Sequence, residues 1–338
     1  MQKFCDIFNE EVVNKFYYLL YNLKKVKKHD IIHYILLSTV GGDMNHDFEQ
    51  FVKNINDLSK NNTFPVATNL LTEQVCKLTK ESLINIVREI GTIPESIEAS
   101  STEEKLYSKA SDIILSRCFV ELGLKSKAVS ERGNSADIIA ESIHGYTLVA
   151  DAKTFRMSRT AKNQKDFKIS TLSNWRGMEH DFALLVSPYF QYPTINSQIY
   201  SSSLDNSVCL LSWEHVLFLL INNIVENDSL SLEQIWNSPK RIERDSKIAY
   251  ADRQNCLFPY INKFVCDRIS KSVQDFGELL KSCKIDIAKR GDCEIRHIDT
   301  EIKIIKGFSR EKAVSELIKS KKLEERISSI KSFIKSLE

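Results

Sequence analysis

The 338-residue sequence has almost no excess charge: 47 Lys and Arg stand against 45 Asp and Glu, a formal net charge of +2. A protein that binds polyanions indiscriminately relies on a strong whole-molecule field. This balance argues against one, so any grip on nucleic acid must come from a local patch of Lys and Arg. Long apolar runs are also missing. The most apolar stretch, Val208–Val225, contains Trp213, Glu214, His215, Asn222 and Asn223; it is too short and too polar to span a bilayer and reads as a buried helix. The opening residues, MQKFCDIFNEEVV, carry Asp6, Glu10 and Glu11 and no basic start ahead of an apolar run. They predict no signal peptide, a cytoplasmic location and no membrane partner. The eight cysteines include no CxxC pair, which argues against a disulfide framework in a chain of this size. Cys256, Cys266, Cys283, Cys293 and His297 are spaced more widely than the usual zinc-ligand pairs, so free and mostly buried thiols are expected. None of the seven histidines has a metal-ligand or HNH-like spacing, and the chain lacks internal repeats and low-complexity tracts.

What is present suffices for one large or two modest domains. Residues 1–38 read as helical, with Phe8, Val12, Phe16, Leu19, Leu20 and Leu23 at helical spacing, and Leu37–Asp47 reads as a turn around Gly41-Gly42. Helices are predicted over Asp47–Ser59 and Leu71–Ile90, with Gly91 as a C-terminal cap and Pro94 stopping continuation. Ser101-Thr102-Glu103-Glu104 supplies a hydroxyl N-cap and early carboxylates for a helix through Lys105–Leu122 that ends at Gly123. The pattern then becomes extended: ADIIAES, YTLVADAKTF and DFALLVSPYF each read as short strands. From Leu211 helices return, the last from about Arg310 to Leu337 with a dense, solvated Lys/Glu face. The expected fold class is α/β, a central mixed β-sheet flanked by helices, with helical N- and C-terminal regions.

One constellation carries chemistry. Asp137 opens a predicted strand, and Asp151-Ala152-Lys153 closes a second, Tyr146–Phe155. Residues two apart on a strand point the same way, so Asp151 and Lys153 share a face. The connection near Ser142–Gly145 is short enough for an antiparallel hairpin, which would bring Asp137 and Asp151 together. Two adjacent carboxylates make an oxygen site for a hard cation such as Mg²⁺, which lowers the pKa of bound water and neutralises charge on a phosphodiester. A lysine beside them can orient or deprotonate the attacking water, or stabilise pentavalent phosphorus. Solvated carboxylates at strand ends would give the same spacing; the apolar Leu148-Val149-Ala150 leading into Asp151 favours a site instead.

The pattern resembles the PD-(D/E)xK nuclease superfamily, and the flanking text resembles the HindIII-type type II restriction endonucleases. The stretches that carry the likeness are SSTEEKLYSKASDIIL (100–115), RGNSADIIA (132–140), VADAKTFRMSRTAKNQKDFK (149–168), FQYPTINSQIY (190–200) and LLSWEHV (210–216), with a weaker likeness through Ile302–Ile318. The first residues look like an extension, so the division expected is a helical N-terminal extension over 1–75 and a catalytic and DNA-binding domain over 76–338. The resemblance implies Mg²⁺-dependent hydrolysis of double-stranded DNA to 5′-phosphate ends at a short palindromic site (AAGCTT for this family) by a homodimer. It makes Asp137 and Asp151 the metal carboxylates and Lys153 the catalytic lysine. It also implies a helix glutamate as a further metal contact, with Glu104 the candidate and Glu103 second. Ala136 stands where the superfamily pattern has proline, which is not a ligand.

Directly after the motif come Arg156, Arg159, Lys162, Lys165 and Lys168, with Asn163 and Gln164 between them. Regular spacing beside a nuclease motif makes Arg156, Arg159, Lys162, Asn163, Lys165 and Lys168 the expected DNA contacts, for phosphates and base edges. Trp175, Arg176, Tyr189, Phe190, Tyr192, Trp213, Glu214 and His215 read as core or structural contacts rather than catalytic groups, and His144 as a surface residue of the hairpin turn. The rival readings are a repair or junction-resolving nuclease on the same scaffold and a DNA-binding protein that does not cleave.

Overall fold

Several helices in this chain start where a hydroxyl side chain can accept from the exposed amides of a first turn. Thr79, Ser101, Ser212, Ser272 and Ser309 each do so. The computed structural model describes residues 45–129, 136–159, 164–194, 196–249, 252–321 and 323–335. The expectations for residues 1–38 and for most of the Leu37–Asp47 turn lie outside them.

Among the described residues three helices come first: α1 His46–Asn61, α2 Phe64–Cys76 and α3 Lys80–Val87. The single helix expected over Leu71–Ile90 is therefore two. Thr79 has an extended backbone and its hydroxyl accepts from the Ser82 amide, which opens a new helix where apolar periodicity alone showed no break. Helix α4, Thr102–Glu121, starts at the expected Ser101 cap, and every residue from Ala110 to Leu115 is buried. It ends at Gly123, whose φ of +92° favours glycine; a Cβ there would lie 2.9 Å from the Glu226 backbone.

Five strands follow: β1 Lys125–Ala128, β2 Ile138–Glu141, β3 Thr147–Ala152, β4 Phe182–Ser187 and β5 Val208–Ser212. They form one mixed sheet in the order β1-β2-β3-β4-β5. Pairs β1/β2 and β2/β3 are antiparallel, and β3/β4 and β4/β5 parallel. The hairpin lies where it was expected: the Ser142 amide donates to the Tyr146 carbonyl, and Gly145 takes a φ of +83°. Helix α4 packs on β1, β2 and β3. Between β3 and β4 run α5 Gln164–Phe167 and α6 Ile169–Arg176, and α7 Gln198–Asp205 precedes β5.

The run Val208–Val225 is corrected by the structure. Its first part is the strand β5, all five residues buried, and only then does α8, Trp213–Ile221, begin. A fully buried parallel strand is as continuously apolar as a core helix, so periodicity cannot tell them apart. The divider is Ser212, which forms a capping box with His215. Strand β1 escaped notice for the opposite reason: KSKA is short, polar and at the sheet edge.

The remaining helices are α9 Glu233–Trp236, α10 Ser238–Arg244, α11 Arg253–Arg268, α12 Val273–Lys306, α13 Arg310–Ser320 and α14 Leu323–Lys335. The last helix expected from Arg310 is thus two. Asp47–Glu338 is one compact unit, and Phe48, Phe51, Ile55 and Leu71 belong to the same core as the sheet. Among the described residues no helix is long and apolar enough to cross a membrane.

Candidate active site

The site is assembled where α4 crosses the β2–β3 hairpin. Asp137 lies one residue before β2 and is tied to the end of β1 by the Val129 amide, which donates to its carbonyl at 2.8 Å. Asp151 lies on β3, paired with Leu185 of β4, and is 2 % exposed. From α4 comes a third carboxylate, Asp112, whose Oδ1 accepts from the Ala152 amide at 3.3 Å. One oxygen from each of Asp112, Asp137 and Asp151 lies within 4.8 Å of the other two. It is the one group of three or more acidic, His or Cys ligands close enough to hold a metal among the described residues; Cys256, Cys266, Cys283, Cys293 and His297 do not gather into one.

Two ammonium groups face these carboxylates. The Lys153 side chain hydrogen-bonds the Asp151 carboxylate, as the same-face argument requires. Lys109, one turn before Asp112 on α4, places its Nζ 3.7 Å from Asp112 and 3.6 Å from Asp137, and donates to the Val129 carbonyl at 2.6 Å. Burial pushes the Asp112 carboxyl well above the usual carboxylate range, and the charges of Asp137 and Asp151 push it further. Burial also raises Asp151, against the lowering pull of Lys153 and, more weakly, Lys168. Carboxylates in this state are short of positive charge. An all-oxygen donor set of this kind fits a hard divalent cation, which would restore the ionised forms.

The backbone around Lys153 is held from several directions. Its amide donates to the Val186 carbonyl at 2.7 Å, and the Trp213 indole Nε1 donates to its own carbonyl at 3.1 Å. Two residues on, the Phe155 amide donates to the Gly91 carbonyl and the Phe155 carbonyl accepts from Ile93. A Cβ on Gly91 would come within 2.8 Å of Pro188 and 2.9 Å of Trp213.

Glu104 is elsewhere. Its carboxylate accepts from Arg156 at 2.8 and 3.1 Å and from the Ser100 amide at 2.6 Å, and neither it nor Glu103 joins the acidic group. The helix carboxylate present in the site is two turns further along. The signal was there: Asp112 is a charge set directly before the apolar run Ile113-Ile114-Leu115, in a helix buried around that turn, and Lys109 precedes it on the same face.

The basic stretch also divides. Arg156 turns inward to Glu104, Glu95 and the Pro94 carbonyl, because half-buried acids on the α3–α4 connection and α4 demand a counter-charge. Arg159 pairs with Asp166 at 2.6 Å while remaining partly open to solvent. Lys165 and Lys168 are exposed. Lys162 and Asn163 lie outside the described residues. Of the residues read as core or structural contacts, Trp213, Glu214 and His215 are buried, Tyr189 packs against Phe258 and Phe276, and Glu214 accepts from the Tyr189 amide, whereas Phe190 is exposed and touches the Tyr189 ring. His144 is exposed at the hairpin turn, its ring nitrogen against the Asn227 and Leu230 carbonyls.

The sequence matches the family described as HindIII restriction endonuclease over residues 49–334. It is 44 % identical over 278 residues to the type II restriction enzyme HindIII of Haemophilus influenzae (strain ATCC 51907 / DSM 11121 / KW20 / Rd), covering 82 % of this chain and 92 % of that protein. With the mixed sheet, the hairpin that joins Asp137 to Asp151 and this match over most of its length, the chain belongs to the HindIII restriction endonuclease family.

Proposed function

We propose that this chain is a type II restriction endonuclease that hydrolyses phosphodiesters of double-stranded DNA at a short palindromic site. The observation that carries the reading is the acidic group Asp112, Asp137 and Asp151 with Lys153 on Asp151, in a chain of this family. Asp112, Asp137 and Asp151 are the residues that would hold Mg²⁺. When bound, the ion would supply a water of lowered pKa and neutralise charge on the scissile phosphate. Lys153 holds its ammonium at the edge of that group, where it orients the attacking water or meets negative charge building on phosphorus. Lys109 offsets the repulsion among the carboxylates before the metal arrives. Lys165, Lys168 and the solvent-facing part of Arg159 supply phosphate contacts, with Lys162 and Asn163 proposed beside them.

A palindromic target is matched by a two-fold homodimer with one site per strand. The test is incubation of the purified protein with plasmid DNA carrying AAGCTT sites, in Mg²⁺ and in EDTA. A fixed ladder with 5′-phosphate ends, absent in EDTA and absent for Asp151→Asn, is expected. Smearing, branched-DNA selectivity, or cleavage unchanged in Asp151→Asn or Lys153→Ala would overturn the reading.

A further inference from the structure

The long helix α12 docks by charge near its middle. Among its described residues Phe276, Leu279, Cys283 and Glu294 are the buried ones, so past Cys283 the single buried side chain is a carboxylate. Glu294 Oε1 accepts from Arg290 Nε, and Arg290 Nη1 donates to Glu89 Oε2 at 3.0 Å. The other oxygen, Oε2, accepts from the Glu95 amide at 2.9 Å. Desolvation offsets most of the attraction in a buried ion pair, so net stability is a weak account of this one. What it does is hold a main-chain amide of the α3–α4 connection in place.

Glu95 in turn grips the segment that leaves the catalytic motif. Its Oε1 accepts from the Ser158 amide at 3.1 Å, and its Oε2 lies 3.8 Å from Arg156 Nη1. The Pro94 carbonyl beside it accepts from Arg156 at 2.9 Å. At Gly291 the helix itself passes this segment, since a Cβ there would stand 3.7 Å from Met157 Sδ. Residues 156–159 belong to no helix or strand, so such contacts decide where they lie. Lys153 stands two residues before Phe155, and Arg159, the first of the basic residues open to solvent, follows Ser158. We propose that Glu294, braced by Arg290 and Glu89, is a positioning residue for cleavage: through Glu95 it fixes the segment 155–159, and with it the placement of the DNA-contacting cations relative to the acidic group. The proposal rests on the restriction-enzyme reading and adds to it a residue remote from the reacting atoms.

Hydrogen exchange and single-turnover cleavage of an AAGCTT duplex, both on the full chain well below its melting temperature, test it. In Glu294→Ala the peptide 154–159 is expected to exchange ~10-fold faster or more. Cleavage at saturating protein should slow by ~10-fold or more, with Mg²⁺ affinity by calorimetry unchanged. Leu279→Ala, which removes a buried contact of the same helix, controls for stability and should leave both readings within about twofold of wild type. Because Glu294 acts through Glu95, the double variant Glu294→Ala/Glu95→Ala should be no slower than Glu95→Ala alone. Should Glu294→Ala not fold, the isosteric Glu294→Gln replaces it, with both changes expected at ~3-fold or more. Unchanged exchange at 154–159, equal slowing in the Leu279→Ala control, or multiplied losses in the double variant each overturn the proposal. A wild type that does not cleave the duplex sinks the restriction-enzyme reading and this proposal with it; a cleaving wild type with any of those three results sinks this proposal alone.

Discussion

The Trp213 indole Nε1 donates to the main-chain carbonyl of Lys153 at 3.1 Å. Trp213 is the first residue of α8, beyond the C-terminal end of β5, while Lys153 follows the C-terminal end of β3. One hydrogen bond therefore ties the helix after the last strand to the backbone that carries the candidate catalytic ammonium. Trp213→Phe keeps most of the ring volume and removes the donor. We expect a fall in the single-turnover cleavage rate of about tenfold, little change in DNA affinity, and a stability loss of about 1 kcal/mol. A DNA affinity that falls as much as the rate would mean that the indole does not act through Lys153.

Asp112 and Glu104 make opposite predictions. Asp112→Asn keeps an acceptor for the Ala152 amide but removes one of three crowded carboxylates. Cleavage should drop by roughly 100-fold or more, while the melting temperature in EDTA rises by about 2–4 °C as burial and repulsion are relieved. Glu104→Gln should cost about 1–3 kcal/mol of stability by depriving Arg156 of its partner and leave metal binding by isothermal calorimetry unchanged.

Lys109 stands between Asp112 and Asp137 in the structure. Lys109→Met should destabilise the metal-free protein by about 1–2 kcal/mol, since two carboxylates lose a counter-charge and the Val129 carbonyl its donor. Added Mg²⁺ should then raise the melting temperature more in the variant than in the wild type. Equal increments would show that Lys109 and the metal do not answer the same charge.

His215 links stability to pH. Its Nδ1 accepts from the Ser212 amide at 3.0 Å, so its Nε2 carries the proton and donates to Asn262 Oδ1 at 2.7 Å. Burial lowers its pKa from 6.5 to about 4. The folded state therefore refuses a proton that the unfolded chain accepts. The contribution is fully present above about pH 6.5 and is lost as pH falls toward 4, up to roughly 3 kcal/mol in all. Urea unfolding at pH 7.5 and 4.5 measures it, and His215→Gln should flatten the difference.

The site was legible where local geometry decides it. Strand alternation puts Asp151 and Lys153 on one face, and the short turn at Ser142–Gly145 implies the hairpin that joins them to Asp137. These follow from a two-residue period and a loop length, both written along the chain. The helix cap at Ser101 and the stop at Gly123 are local in the same sense. The family resemblance was legible too, because it is itself a property of the text.

What tertiary structure decided is which side chains meet across elements. Early acids suit a helix start whether or not a metal is near, so Glu104 could not be told from a metal contact until α4 was laid across the hairpin; packing then gave Glu104 to Arg156 and Asp112 to the site. The same packing withdrew Arg156 from the basic surface, since the acids that hold it lie more than fifty residues upstream. Strand β5 was hidden because a run buried on both faces loses the alternation that distinguishes strand from helix. A residue's type and local spacing determine what chemistry it offers; the charge and burial of neighbours distant in sequence determine whether that chemistry serves the site or is neutralised inside the core.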